Sequence, residues 1–337
     1  MKKFAVLGCG FWAQFQIAAW REFDDVELVA LYNRTKSKAE NLAKRFNVPR
    51  VYDTAEELFE NEKLDFVDII TDVYTHEKFV LLAARHGVPV ICQKPMAPDY
   101  ETAKRMVEAC KKANVPFYIH ENWRWQIPIR ALKKKLDEGA IGTPFRARIT
   151  YCNSFPVFEN QPFLAELEQF ILTDIGVHIL DVARFLFGEP RTLYCQTAKI
   201  HKQIKGEDVA SIAMKMESGL HCNVELSYAS KVQHDRFPET YIFVEGDQGS
   251  LELGPDYWLH TTTNDGIHSV RVQIPYYPWV DKRYEVVHTS IVEANRDLLS
   301  ALKGEKIAET NGEDNLKTLN LVYMAYESAD SNSVVEV

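Results

Sequence analysis

Hydrophobic residues follow two rhythms along this chain, and the change falls near residues 120–125. In the first part, short continuous apolar runs alternate with amphipathic helical stretches. KFAVLG (3–8) precedes the helix-like WAQFQIAAWREF (12–23), and VELVALY (26–32) precedes KSKAENLAKRFN (36–47). EELFENE (56–62) is a short helix and LDFVDIIT (64–71) a buried strand. HEKFVLLAARHG (76–87), VPVICQ (88–93), DYETAKRMVEACKKAN (99–114) and VPFYIH (115–120) repeat helix, strand, helix, strand. Strands apolar throughout, interleaved with one-faced helices, predict a parallel sheet covered on both sides. HENWRWQIP (120–128) breaks the alternation. Beyond it come the helix IPIRALKKKLDEGAIG (127–142), the strand TPFRARITYC (143–152) and the helix DIGVHILDVARFLFG (174–188). Alternating strands follow: TLYCQTAKI, VASIAMKM, LHCNVELSYAS, TYIFVEGDQGSLEL, YWLHTT and HSVRVQIP, with hairpin turns at MESGL and GDQGS. Two helices, near 284–303 and 312–329, close the chain. The pattern predicts α/β: a parallel-sheet domain over 1–121, then a second domain over 122–337 built on an antiparallel or mixed sheet with one apolar face.

The first strand runs into GCGFWA. Gly8, Gly10 and Ala13 fit G-x-G-x-x-G/A, with Phe11 and Trp12 inside the turn. The first glycine allows a tight turn, the second lets backbone approach a pyrophosphate, and the small third residue lets the helix pack on the strand. Alone the pattern is weak, but here it joins a strand to a helix, as dinucleotide binding requires. Asn33 stands where an acid usually holds the ribose 2′-hydroxyl, followed by Arg34, Thr35, Lys36 and Ser37. A carboxylate would repel a 2′-phosphate and this cluster could bind one, which favours NADP over NAD. The plainer alternative is a helix start capped by Thr35 with solvated lysines.

Composition narrows the classes. The 337 residues exceed one typical core, and 46% hydrophobic with 26% charged is ordinary for a globular protein. A net charge of −9 disfavours nucleic-acid binding. The apolar run behind Lys2 and Lys3 is shorter than the roughly 7–15 residues of a signal peptide's core. No stretch approaches the ~20 apolar residues of a membrane span. Six scattered cysteines without a CxxC pair read as reduced, buried thiols. The expected setting is the cytoplasm.

In DIGVHILD (174–181), Asp174, His178 and Asp181 are spaced four and three apart, which would stack them on one helical face. Such a face suits proton transfer, a metal site or a polar edge. No Cys or second His stands at ligand spacing, so no metal is expected. In HENWRW, Trp123 and Trp125 could stack on a sugar, Arg124 could clamp an anion, and Glu121 and Asn122 leave the sixth strand. A hinge packed with aromatics is the plain alternative. His76, His86 and His120 read as local packing residues.

GCGFWA, QKPMA (93–97) and DIGVHILDVARFLFG together resemble the Gfo/Idh/MocA oxidoreductases over nearly the whole chain. The resemblance implies an N-terminal Rossmann dinucleotide-binding domain, then a C-terminal α+β domain with a large open, mainly antiparallel sheet, and NAD(P)-linked hydride transfer to or from a secondary alcohol of a sugar, cyclitol or related polyol. Lys94 falls on the family's EKP lysine, Asp174 on its helix acid and His178 on its helix histidine. Gln93 replaces the EKP glutamate. In TDVYTH, Thr71 and His76 match the family's T-P-x-x-x-H while Asp72 replaces its proline. The implied roles are catalytic for Lys94, His178 and Asp174. Cofactor binding falls to Gly8, Gly10, Phe11, Trp12, Ala13, Asn33, Arg34, Thr71, His76, Gln93 and Lys94. Substrate binding falls to Lys94, Glu121, Arg124, Asp174 and His178. An imidazole changes charge near neutral pH, as a general base must. A lysine at a strand's carboxyl end can stabilise an alkoxide. Asp181 reads as structural. The family also contains glycosidases that use NAD transiently and non-catalytic NAD(P) sensors. Loss of the lysine or the histidine would mark a sensor, and both are present. By analogy, the chain is a homodimer or homotetramer.

Overall fold

A computed structural model describes residues 1–233 and 235–337, which divide into two compact units. The first takes 1–122, 277–280 and 291–319; the second takes 123–276, 281–290 and 320–337.

The first unit holds β1 (Lys2–Leu7), α1 (Ala13–Trp20), β2 (Val26–Tyr32), α2 (Lys36–Phe46), β3 (Arg50–Tyr52) and α3 (Ala55–Asn61). It continues with β4 (Phe66–Ile69), α4 (His76–Arg85), β5 (Val90–Gln93), α5 (Tyr100–Lys112) and β6 (Phe117–His120). All pairings are parallel and the order is β3-β2-β1-β4-β5-β6. That is the Rossmann order, whose direction reverses between β1 and β4, where ligands bind beyond the strand ends. The sequence pattern missed β3 because three residues carry no measurable period. Phe4, Phe66 and Trp20 fill the core beneath the switch, with Phe4 and Phe66 stacked at 4.7 Å. Ile291 and Val292 cluster with Ala19, against which Trp12, Phe15, Phe23, Tyr277 and Trp279 pack, so late residues complete this unit.

The second unit holds α6 (Ile127–Asp137), β7 (Pro144–Cys152), α7 (Val157–Asn160) and α8 (Val177–Phe187). Next are β8 (Pro190–Ala198), β9 (Val209–Met216), β10 (His221–Ser227), β11 (Tyr241–Gly246), β12 (Gly249–Leu253), β13 (Trp258–Thr263) and β14 (Gly266–Arg271). α9 (Glu285–Leu302) and α10 (Gly312–Ser331) contribute residues to both units, and β15 (Val335–Glu336) closes the sheet. The nine strands run β14-β13-β12-β11-β7-β10-β9-β8-β15, and every pairing except β7–β10 is antiparallel. Ala210, Ile212, Met214 and Met216 on β9 are buried with Cys222, Val224 and Leu226 on β10, while the alternate positions are exposed. α8 lies against β7 and β10. No helix among the described residues is long and apolar enough to cross a membrane.

Candidate active site

The nucleotide half is built at the carboxyl ends of β1, β2, β4 and β5. Gly8 has φ +103°, and a Cβ there would stand 2.6 Å from the carbonyl carbon of Ile70, so only glycine fits. At Gly10 a Cβ would meet nothing within 4 Å. Backbone is thus bare beside open space just before α1 begins. Trp12 at the N-cap makes no side-chain cap, and the first turn carries no acid. The leading amides of α1 are therefore left without a side-chain cap, which suits a diphosphate. Ala13 is fully buried where α1 meets the sheet. These features fit a dinucleotide cofactor.

Asn33 accepts from the Cys9 N–H at 2.9 Å and donates to the Thr35 carbonyl at 2.9 Å, so it ties the glycine turn to the end of β2. Arg34 is exposed. Lys36 is engaged with Asp53 at 2.7 Å, which removes it as a free cation. Thr35 takes the N-cap position of α2, but its side chain makes no cap bond. His76 is buried, with ring nitrogens 3.1 Å from the Met96 carbonyl and 3.2 Å from that of Thr71. It bridges the ends of β4 and β5. Burial lowers the imidazole's pKa. Glu121 is fully buried and Asn122 nearly so.

Gln93 belongs to a hydrogen-bonded line that the sequence did not reveal. Its side-chain oxygen accepts the Lys94 N–H at 3.1 Å, and its amide nitrogen donates to Gln16 Oε1 at 2.5 Å. Gln16 Nε2 reaches both oxygens of Asp68 at 2.8 Å, and Trp20 Nε1 donates to Asp68 Oδ2 at 2.9 Å. Gln16 and Asp68 are fully buried.

The other half stands on α8 and its sheet. DIGVHILD does not form one regular α-helix, contrary to the spacing argument. Leu172–Gly176 is a π-helical turn, and α8 starts at Val177. A π turn changes the angular step between residues, so i,i+4 spacing across it no longer fixes a common face. Each polar side chain of the triplet has its own contact. The Tyr228 hydroxyl donates to Asp174 Oδ2 at 3.2 Å. His178 stacks on Trp123, ring centroids 4.3 Å apart and 24° from parallel. Asp181, fully buried, takes a bidentate pair from Arg124 at 2.6 and 2.7 Å. Arg124, only 5% exposed, is thus committed to Asp181, and its fork braces α8. Trp123 Nε1 donates to Thr240 Oγ1 at 3.1 Å, fixing the surface under the imidazole. The Trp125 ring carries the Arg130 guanidinium at 3.5 Å.

Three further residues were not legible. Tyr151 and Tyr228 are buried beside Asp174, and burial pushes both phenols above their ordinary range, so each keeps its proton. Glu207 accepts from the Phe170 and Leu172 N–H groups at 3.2 Å and from the Tyr326 hydroxyl at 2.6 Å, holding the entry to the π turn. Lone polar residues inside apolar stretches, such as Asp68 in FVDII, were the only available signal.

Chemically, the first half can cradle a diphosphate and present an ammonium at the end of β5. The second presents an imidazole on an aromatic platform and a carboxylate steadied by a phenol.

Comparison with known proteins gives two family-model matches: "Oxidoreductase family, NAD-binding Rossmann fold" over residues 2–121, and "GFO/IDH/MocA C-terminal domain" over 129–252. A D-apiose dehydrogenase of Paraburkholderia graminis is 41% identical, covering 99% of this chain and 89% of its own. That of Rhizobium rhizogenes is 39% identical, covering 99% and 97%. A crystal structure of an oxidoreductase from Agrobacterium radiobacter in complex with NAD+, L-tartaric acid and magnesium superposes with TM-score 0.97 at 39% identity, covering 99% and 98%.

Proposed function

The chain belongs to the Gfo/Idh/MocA family of NAD(P)-dependent oxidoreductases, and from that premise we propose that it is a sugar dehydrogenase acting on D-apiose or a closely similar aldose. The observation that carries this reading is the 41% and 39% identity to D-apiose dehydrogenases over 99% of the chain. Gly8, Gly10, Phe11, Trp12, Ala13, Asn33, Arg34 and Thr71 would hold the cofactor, with His76 and Gln93 shaping the strand ends beside it. When bound, the cofactor would supply the hydride-transfer chemistry at the substrate carbon.

The chain's own residues handle the proton and the charge. His178 takes the proton of the reacting hydroxyl, its ring plane set by Trp123. Asp174 binds a neighbouring hydroxyl through the carboxylate that Tyr228 steadies. Lys94 stabilises the negative charge that grows on the reacting oxygen. Glu121 contributes to substrate binding, and Arg124 acts through Asp181.

NADP(H) is the preferred cofactor, and Arg34 is the residue that selects it, since Lys36 is held by Asp53. The setting is the cytoplasm, in keeping with six free cysteines, five of them buried. The protein is a homodimer or homotetramer. Exposed Trp258, Ile267 and Val270 on β13 and the edge strand β14 support this.

The test is a substrate panel. D-apiose, D-xylose, myo-inositol, scyllo-inositol and levoglucosan are each incubated with NADP+ and with NAD+, and nicotinamide reduction is followed by absorbance. D-apiose should give the highest kcat/KM. A cyclitol preferred over every aldose would overturn the substrate assignment.

A further inference from the structure

We propose that Asp68, Gln16 and Gln93 form a one-way hydrogen-bond line that positions Lys94, and that residue 93 is an amide because Asp68 already supplies the line's single terminal acceptor. The donors all point one way. The Lys94 N–H gives to Gln93, Gln93 Nε2 gives to Gln16 Oε1, and Gln16 Nε2 gives to the Asp68 carboxylate. Trp20 Nε1 donates to the same carboxylate. The second hydrogen of Gln93 Nε2 faces His120 Nδ1 at 3.4 Å, while His120 Nε2 lies 2.9 Å from Asn295 Oδ1. An Nε2–H tautomer satisfies both contacts, leaving Nδ1 as the acceptor. Residue 93 must therefore donate on one side and accept on the other, which an amide does and a carboxylate cannot.

The line joins three elements. Gln16 sits on α1, directly behind the glycine turn, Asp68 on β4, and Gln93 at the end of β5. It ties the helix whose N-terminus faces the open space at Gly10 to the backbone that carries Lys94. Gln16, Asp68 and Gln93 are positioning residues. Their proposed effect on turnover rests on the role given to Lys94 above, whereas their effect on stability does not.

Gln93→Glu would put two acceptors at opposite ends of Gln16, whose amide can serve only one with its nitrogen. The conflict at Gln16 disappears if the acid moves rather than doubles, and His120 follows by taking the Nδ1–H tautomer, which gives to the new carboxylate while the Asn295 amide turns to donate to Nε2. When Asp68→Asn and Gln93→Glu are combined, Gln16 turns over. The new amide at position 68 then donates to Gln16 Oε1, and Gln16 Nε2 and the Lys94 N–H both give to the new carboxylate at position 93. Trp20 still has an oxygen on residue 68. The line keeps one terminal acceptor with its direction partly reversed.

The test is a double-variant cycle at pH 8 on the full chain. Thermal unfolding is read without cofactor, and steady-state kinetics are read on the preferred sugar. Gln93→Glu should lower the Tm by about 5–10 °C, as expected when a second charge is buried without its own donors. It should lower kcat by roughly tenfold or more with the cofactor KM within about threefold, because the damage lies at Lys94 and not at the diphosphate turn. Asp68→Asn alone should shift Tm by only about 3 °C. In the Asp68→Asn background, adding Gln93→Glu should restore Tm and kcat to within about 2 °C and threefold of the Asp68→Asn variant. If Gln93→Glu does not fold, recovery of folded protein by the double variant supports the same conclusion. A double variant no better than Gln93→Glu, or a Gln93→Glu variant with unchanged Tm, overturns the proposal. Restored Tm without restored kcat overturns only the role of the line in positioning Lys94. The Tm arm does not depend on which sugar is the substrate, so failure of the substrate assignment leaves it readable.

Discussion

Removing the Glu207 carboxylate should loosen the entry to the segment carrying Asp174 and His178. Glu207 lies just before β9, yet its side chain reaches the Phe170 and Leu172 N–H groups and the Tyr326 hydroxyl. Glu207→Ala leaves three donors without their acceptor. Each buried unsatisfied donor costs about 1–3 kcal/mol. Water entering at the 9% exposed edge recovers part of that, so a net loss of about 4 kcal/mol is expected. Glu207→Gln keeps one oxygen where three donors converge and loses the ionic component, for about 1–2 kcal/mol. Tyr326→Phe removes one donor with its bond and should cost about 1 kcal/mol. The assay is urea unfolding followed by tryptophan fluorescence and far-UV circular dichroism, extrapolated to water. Steady-state rates should follow the same order, with kcat falling more than cofactor affinity, because Asp174 lies only two residues beyond Leu172. If Glu207→Ala unfolded at the wild-type urea concentration and kept its kcat, the carboxylate would not hold the π turn.

Gly8→Ala must accept a φ of +103° and a Cβ 2.6 Å from the Ile70 carbonyl carbon. It should lose about 2–5 kcal/mol of stability in the same urea assay, and weaken cofactor binding measured by nicotinamide fluorescence. Arg34→Ala should narrow the gap between NADP(H) and NAD(H) affinity, and Lys36→Ala should leave it nearly unchanged. An equal effect from both would disprove the assignment to Arg34 alone. Asp68 gives a pH signature. Burial pushes its carboxyl to about 7, outweighing the Trp20 and Gln16 donors that pull it down. The folded protein then keeps a proton that the unfolded chain releases near about 3.9. The stabilisation is full below that value and is lost as pH rises through about 7. Asp68→Asn should abolish that part of the pH dependence in urea midpoints between about pH 4.5 and 8, and an unchanged slope would contradict it.

The two rhythms were legible because burial imposes them. A strand covered on both faces cannot carry polar residues freely, and a strand covered on one face must alternate. FVDI on β4 shows both the rule and its exception, a continuous apolar run with one acid. Periodicity places Asp68 inside, but only the fold brings it to Gln16, 52 residues earlier in the chain. The helix triplet was half legible. Spacing put Asp174, His178 and Asp181 on one helical face, but periodicity assumes α geometry, and Asp174 lies in the π turn while His178 and Asp181 lie on α8. Arg124 read as an anion clamp because its partner lies 57 residues away, beyond any local pattern. Tyr228 and Glu207 lie in loops just after β10 and just before β9, and they gain meaning only when the sheet is assembled. The β7–β10 pairing was hidden for the same reason, since nothing in two alternating strands states whether they run parallel.

The most direct measurement of the central claim is kcat/KM for D-apiose with NADP+ in the wild-type protein, His178→Asn and Lys94→Ala, alongside cofactor affinity. The wild type should reduce the cofactor, and losing the base should lower kcat/KM by about 10²–10⁴. Losing the lysine should lower it by about 10²–10³, with cofactor affinity nearly intact in both variants. Wild-type rates in both variants on a sugar that the protein oxidises would contradict the claim.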